Sequence, residues 1–377
     1  MSVKEKKVEL IELFYDLIYV YAISNMTLLV EEPEGGVITL EMLGVYLVTS
    51  MVIIQAWLYM TNYVNRYCTW RWYEYVLVVI NMGAAILMSN TITENWLDAS
   101  STFVVAMMVM IGCVAVLYMI QIYVQKQDIK AAKHTLDILF VILAVYLVAL
   151  IMNLIGYREE SLFIVVANVF LGMFLPFFKR GEYDLKIVSF PHMVERLELL
   201  TIITFGEGIV GITRFFDIME LSPIASMVFM ILIFMFGSYV AQVHYLCNHH
   251  QVVNANRMTW SHYMIIIAIN MVTVSLIYFH DAGADHLFTA TLMVVSMAAF
   301  YVALMSTSHY YKEEFPWSYK DLVFILIPIC IGAAITYCFI GSPYGFLVGA
   351  LIASGCNFVY IWHKYSSNRC VNVIHTV

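Results

Sequence analysis

The sequence predicts an all-α polytopic transmembrane helix bundle of about twelve helices, arranged as two parallel six-helix repeats. Three observations predict it: an apolar composition, apolar stretches of membrane-spanning length recurring almost end to end, and basic residues confined to one side of those stretches. The 377 residues are 62% hydrophobic and 12% charged, with a mean hydropathy of +0.82, whereas a soluble domain carries about 45–50% apolar and about 25% charged residues. Water is not the main solvent of such a chain.

A hydrocarbon core about 30 Å thick is crossed by roughly 20 apolar residues in a helix rising about 1.5 Å per residue. Segments of that kind lie near residues 8–30, 38–62, 73–93, 101–124, 134–156, 161–178, 194–215, 222–247, 260–280, 286–307, 318–340 and 343–364. The sixth is short and meets Pro176, and the seventh is thinned by polar groups, so eleven spans stay open. The basic start MSVKEKK runs on into Glu9, Glu12 and Asp16 without a small-residue cleavage site, which reads as a retained first helix.

Lysines and arginines mark the cytoplasmic side of a membrane protein. With twelve spans, 17 of the 19 lysines and arginines fall on one side, and only Arg158 and Arg214 on the other. Both termini are therefore expected in the cytoplasm, with the protein in the cell membrane, as the asymmetry of a bacterial or similar inner membrane implies. The opposite side carries acidic loops such as EEPEGG at 31–36.

An internal duplication is expected from colinear matches. VELIEL at 8–13 aligns with VERLEL at 194–199, Tyr59 and Asn62 with Tyr245 and Asn248, VINM at 79–82 with AINM at 268–271, and DILF at 137–140 with DLVF at 321–324. This divides the chain into a first six-helix repeat, residues 1–178, a basic cytoplasmic linker, 179–191, and a second repeat, 192–377. Six helices per half make the halves parallel, as in one class of transporter repeat.

Ionisable side chains inside a bilayer need a partner, a cavity or a function, because each costs at least about 2.5–3.5 kcal/mol at the centre of a helix. Glu9, Glu12 and Asp16 follow i, i+3, i+7 spacing and form one acidic stripe on the first helix. The bland alternative is that Glu9 and Glu12 are interfacial and favoured by the helix dipole; Asp16, two turns in, resists it. At the head of the second half stand His192, Glu195, Arg196 and Glu198, and TFGEGIVGITR then places Glu207 near mid-bilayer, with Arg214 near the far end. Gly206, Gly208 and Gly211 read as close-packing positions rather than as a dinucleotide fingerprint, since no strand precedes them.

The second helix ends W-L-Y-M-T-N-Y-V-N-R. Trp57, Tyr59, Tyr63 and Tyr245 fit an interfacial aromatic belt, with Asn62, Asn65 and Asn248 capping helix ends. Asn81 and Asn270 occupy matching places in the third and ninth spans and read as interhelical glue. Asp137 and Asp321 open the fifth and eleventh spans. Seven scattered cysteines without a C-x-x-C pair, and His244, His249 and His250 without a completing carboxylate, point to no disulfide framework and no metal; no cofactor is expected.

The run VELIELFYDLIYVYAIS, the W-x3-T-x-Y-x-N-R of Trp57 to Arg66, and HMVERLELLTIITFGEGIVGI together resemble the low-temperature-requirement A (LtrA) family of bacterial membrane proteins. The family pattern falls on Glu12, Phe14 and Asp16, on Trp57, Tyr63, Asn65 and Arg66, and on His192, Glu195, Arg196, Gly206 and Glu207. Two departures stand out: Gly208 where a serine is frequent, and the neighbourhood of His244 and Tyr245 where a Tyr-Phe-Asp is usual. The resemblance implies a membrane protein connected with growth in the cold and brings no agreed biochemical activity with it.

Three functional readings follow. The first is a secondary transporter or ion pathway lined by Glu12, Asp16, His192, Glu195, Arg196 and Glu207, with Trp57, Tyr63, Asn65, Arg66, Asn81 and Asn270 in support. The second is a membrane-embedded enzyme handling a lipid or quinone, and the third a non-catalytic scaffold or sensor. No nucleophile–base pair, metal set or phosphate loop favours the second. The expected partners are the lipid bilayer and an unidentified small solute or ion, protons included; nucleic acid is not expected, and an oligomer stays open.

Overall fold

A computed structural model describes residues 4–92, 96–126, 128–178, 185–216 and 222–374. Among them are twelve α-helices and no strand: α1 (Leu10–Leu28), α2 (Leu40–Tyr67), α3 (Trp72–Asn90), α4 (Trp96–Ile120), α5 (Ile129–Ile155), α6 (Arg158–Phe178), α7 (Phe190–Ile212), α8 (Pro223–Tyr239), α9 (Asn256–His280), α10 (His286–Ser306), α11 (Tyr319–Cys338) and α12 (Pro343–Ile374). π-Helical turns, Gln121–Gln125 and Val240–Leu246, extend α4 and α8. The all-α polytopic bundle expected from hydropathy is the architecture observed.

Ten of these helices are long and apolar enough to cross a membrane. The other two are α1 and α7, where Glu12 and Asp16, and Glu195, Arg196, Glu198 and Glu207, dilute the apolar character. Helix starts are written locally. Ser222 accepts from Ile224 N–H with Pro223 in the first turn of α8, Asp285 accepts from Phe288 N–H at α10, and Asp321 turns back to accept from Ser318 N–H at 2.7 Å at α11. Each satisfies an amide that the helix leaves without an internal acceptor.

The chain divides into two compact units, Met1–Val30 with Leu40–Met193, and Glu31–Thr39 with Val194–Val377. In the first unit α3 packs on α4, α4 on α5 and α5 on α6, while α2 touches α1, α4 and α6. Its interior is rich in tyrosine, with Tyr15, Tyr19, Tyr46, Tyr63, Tyr118 and Tyr146 all buried. In the second unit α9 packs on α10, α11 on α12, and α12 also on α8 and α10. The acidic 31–36 segment belongs to this unit: Gly36 O accepts from Asp285 N–H, and Glu31 lies 3.5 Å from Arg214.

Several expectations are corrected. Trp57, Tyr59 and Tyr63 are not an interfacial belt; they are 1%, 9% and 0% exposed. Helix α2 runs on to Tyr67, so Asn62 and Asn65 lie within it rather than at its end. Asp137 sits two turns into α5, exposed, because that helix begins at Ile129. Within the predicted linker, residues 179–184 lie outside the described residues.

Candidate functional site

The acidic stripe of α1 splits on folding. Glu9 stays exposed, whereas Glu12 and Asp16 are 1% and 0% exposed. Glu12 occupies the third position of α1 and accepts from Glu9 N–H through Oε1, which leaves Oε2 to face inward. There it meets His192, at 2.8 Å from Nε2. His192 lies in the first turn of α7, the part of that helix that belongs to the first unit.

Asn65 holds the other side of the imidazole. Its Oδ1 accepts from Ser189 N–H at 3.0 Å, and its Nδ2 donates to Ser189 O at 2.8 Å. Both atoms of the amide are thus assigned by one backbone residue. The second Nδ2 hydrogen points to His192 Nδ1 at 3.1 Å, so Nδ1 accepts, and the ring proton sits on Nε2, facing Glu12. A buried relay runs from the Ser189 backbone through Asn65 and His192 to a carboxylate.

One turn further along α1, Asp16 Oδ1 accepts from Trp57 Nε1–H at 2.7 Å. Both groups are buried. Between these carboxylates on the same helix, the Tyr15 hydroxyl lies 3.0 Å from both the Tyr19 hydroxyl and Asn81 Oδ1, and Asn81 Nδ2 donates to Met110 O at 2.9 Å. Asn81 therefore joins α1, α3 and α4, as the glue reading requires.

The C-terminal end of α2 is tied down around the same residues. Tyr63 O–H donates to Glu74, which is fully buried and also accepts from Arg71 N–H at 2.6 Å at the start of α3. Lys4 Nζ donates to Arg66 O and Ile187 O, Lys6 Nζ to Val64 O and Cys68 O, and Ser189 O–H to Lys4 O. Two ammonium groups thus neutralise the carbonyl end of α2. Burial, and then the charge of Lys6, hold the Lys4 ammonium below the usual lysine range. Arg66 enters this arrangement through its backbone carbonyl.

In the second unit, α7 carries Glu195 exposed, Arg196 buried at 1% and Glu207 half-buried. Arg196 and Glu207 are three turns apart on one helix, beyond each other's direct reach. Asn270 is buried on α9. The glycines divide: a Cβ at Gly208 would stand 2.9 Å from Thr273 Oγ1 and one at Gly211 2.8 Å from Thr273 Cγ2, while Gly206 meets nothing within 4 Å. Close packing explains two of the three. His244 Nδ1 lies 3.3 Å from Glu198, and His249 Nε2 donates to Val243 O.

Sequence reasoning missed Ser189, Tyr15 and Glu74. Ser189 and Glu74 did carry signals, a serine two residues before a proline at a helix start and a glutamate in a first turn, both cap patterns. Burial pushes the thiols of Cys68 and Cys247 up to about 12, which removes them as nucleophiles. An open apolar groove of about 600 Å³ lies among α3, α4 and α5, lined by residues such as Ile80, Leu87, Val105 and Leu154 and by no ionisable side chain. It could seat a hydrocarbon chain and offers no chemistry to perform on it.

A comparison with curated proteins returned no match. The residues that form the buried relay lie inside a longer match to a known family. Residues 7–355 correspond to the family described as Bacterial low temperature requirement A protein (LtrA), and with nearly the whole chain matched, the protein belongs to the LtrA family.

Proposed function

We propose that this LtrA-family membrane protein is a secondary transporter or ion pathway that supports growth in the cold, with protonation of Glu12 and Asp16 coupled to passage. The observation that carries this reading is the placement of two fully buried carboxylates on α1, Asp16 accepting from Trp57 Nε1–H and Glu12 lying 2.8 Å from His192 Nε2, each against a side chain of another helix. Carboxylates in such surroundings are the elements from which intramembrane proton relays are made. The matches at offsets of 184–189 support a duplicated architecture of the kind transporters use, with Arg196 and Glu207 on the equivalent helix α7. The one-sided distribution of lysine and arginine supports cytoplasmic termini and residence in the cell membrane.

The test is proton flux in proteoliposomes carrying a trapped pH indicator, with imposed solute and ion gradients. Wild-type protein should move protons with at least one solute or ion, and Asp16→Asn and Glu12→Gln should lose the coupling while keeping the fold. Absence of flux across a broad panel of gradients, together with normal growth in the cold of a strain carrying Asp16→Asn, would overturn the reading.

A further inference from the structure

A second polar cluster lies in the first unit where α2, α5 and α6 meet. Gln55 on α2 is 2% exposed, Tyr146 on α5 0% and Asn168 on α6 1%. Each is within about one turn of the middle of its helix, at the depth where a bilayer offers no water to an unpaired polar atom.

Asn168 and Gln55 share Ile142 of α5 as a neighbour, and Tyr146 follows it by one turn on the same helix. Asn168 Nδ2 donates to Ile142 O at 3.0 Å, one turn before Tyr146. Gly172, one turn after Asn168, accepts from Tyr59 O–H at 2.8 Å through its carbonyl. A Cβ on Gly172 would lie 1.7 Å from Gln55 Nε2 and 3.2 Å from Ile142 Cδ1. A glycine is therefore required for the Gln55 amide to rest against α6, beside Ile142.

Three polar atoms of this cluster lack a hydrogen-bond partner among the described residues: Gln55 Oε1, Asn168 Oδ1 and the Tyr146 hydroxyl. The bond to Ile142 O fixes the Asn168 amide, so its oxygen is a true acceptor. Leaving such an atom buried and unpaired costs about as much as a lost hydrogen bond, and natural proteins satisfy it with protein groups or ordered water. Two amide acceptors and one hydroxyl donor match what one water molecule offers, since buried waters make about three bonds. A cation would meet three neutral oxygens and no carboxylate at a depth where charge is costly.

We infer that Gln55, Tyr146 and Asn168 form a mid-membrane binding site for a water molecule, which donates to the two amide oxygens and accepts from Tyr146. The site is independent of the transport reading, because it holds no ionisable carboxylate and shares no residue with the α1 relay.

Full-length protein in lipid nanodiscs tests it. Tyr146→Phe removes only the hydroxyl: with water bound it should lower the melting temperature by several degrees, and adding Asn168→Leu should lower it by less than the sum of the single effects. Tyr146→Phe that leaves the melting temperature unchanged or raises it would overturn the site, since deleting an unsatisfied hydroxyl relieves the protein. X-ray radiolytic labelling of the wild type gives a second readout, in which bound water should oxidise Tyr146 despite its burial; an unlabelled Tyr146 counts against the site. Stabilisation by sodium chloride over choline chloride that disappears in Asn168→Leu would replace water by a cation.

Discussion

His192 Nε2 lies 2.8 Å from Glu12 Oε2 while its Nδ1 faces Asn65 Nδ2 at 3.1 Å, and the Asn65 amide cannot flip without opposing both Ser189 backbone groups. The polarity of the relay is therefore built from the backbone outward. Asn65→Asp should break it twice, by losing the donor to Ser189 O and by offering Nδ1 an acceptor in place of a donor. Nitrogen NMR of labelled histidine should show His192 moving from the Nε2–H tautomer to a doubly protonated ring. Thermal stability should fall by about 1–3 kcal/mol, the cost of leaving a buried group unpaired. An unchanged tautomer would show that Asn65 does not set it.

The Asp16–Trp57 bond permits a cleaner measurement, because it joins one donor to one acceptor between two helices. Trp57→Phe keeps a buried aromatic ring and removes the indole N–H, so it should cost about 1.5–3 kcal/mol, as for a hydrogen bond to a charged group. A double-mutant cycle with Asp16→Asn should give a coupling energy of about 1 kcal/mol or more, in the range for residues in contact. Additive effects would mean that the pair contributes nothing as a pair.

Much of this fold was legible because lipid imposes a simple rule on sequence, and each of the twelve expected segments contains a helix core. What failed was local: hydropathy ends α2 at residue 62, yet the helix continues to Tyr67 because Asn65 and its neighbours turn toward protein rather than water. Trp57 and Tyr63 near a helix end fit an aromatic belt as well as an interior. Only partners supplied by other helices, Asp16 for Trp57 and Glu74 for Tyr63, distinguish the two. The i, i+3, i+7 spacing put Glu9, Glu12 and Asp16 on one face of α1, yet only Glu12 and Asp16 are buried, because Glu9 precedes the helix. The partnership of Asn65 with Ser189 spans 124 residues of sequence, and no periodicity within one helix encodes it.

Gly208 and Gly211 of α7 lie against Thr273 of α9 and Gly206 does not, which makes the three glycines unequal. Gly211→Ala should destabilise the second unit by about 1–3 kcal/mol, the usual penalty for overpacking, and Gly208→Ala should act in the same direction. Gly206→Ala should be neutral or slightly stabilising, because nothing surrounds that position and alanine is the better helix former. Thr273→Ala should relieve both damaging variants. Melting temperatures in detergent distinguish the patterns, and an equal loss at all three glycines would contradict the packing.

The loop after α8 supplies a pH dependence whose sign follows from burial. His249 donates from Nε2 to Val243 O, and burial first, then the charges of His244, Lys312 and His250, hold its pKa below the ordinary 6.5. The nearby carboxylate, Glu198, pairs with His244. A histidine with a lowered folded pKa binds its proton more readily when unfolded. Stability is thus lost as pH falls from about 6.5 toward the folded value, and it is fully present above 6.5. The melting temperature of the wild type should drop between pH 7 and pH 5. His249→Gln, which keeps an N–H donor and cannot be protonated in this range, should flatten part of that drop while changing little at pH 7.5. A drop of the same size in His249→Gln would assign the acid sensitivity to other groups.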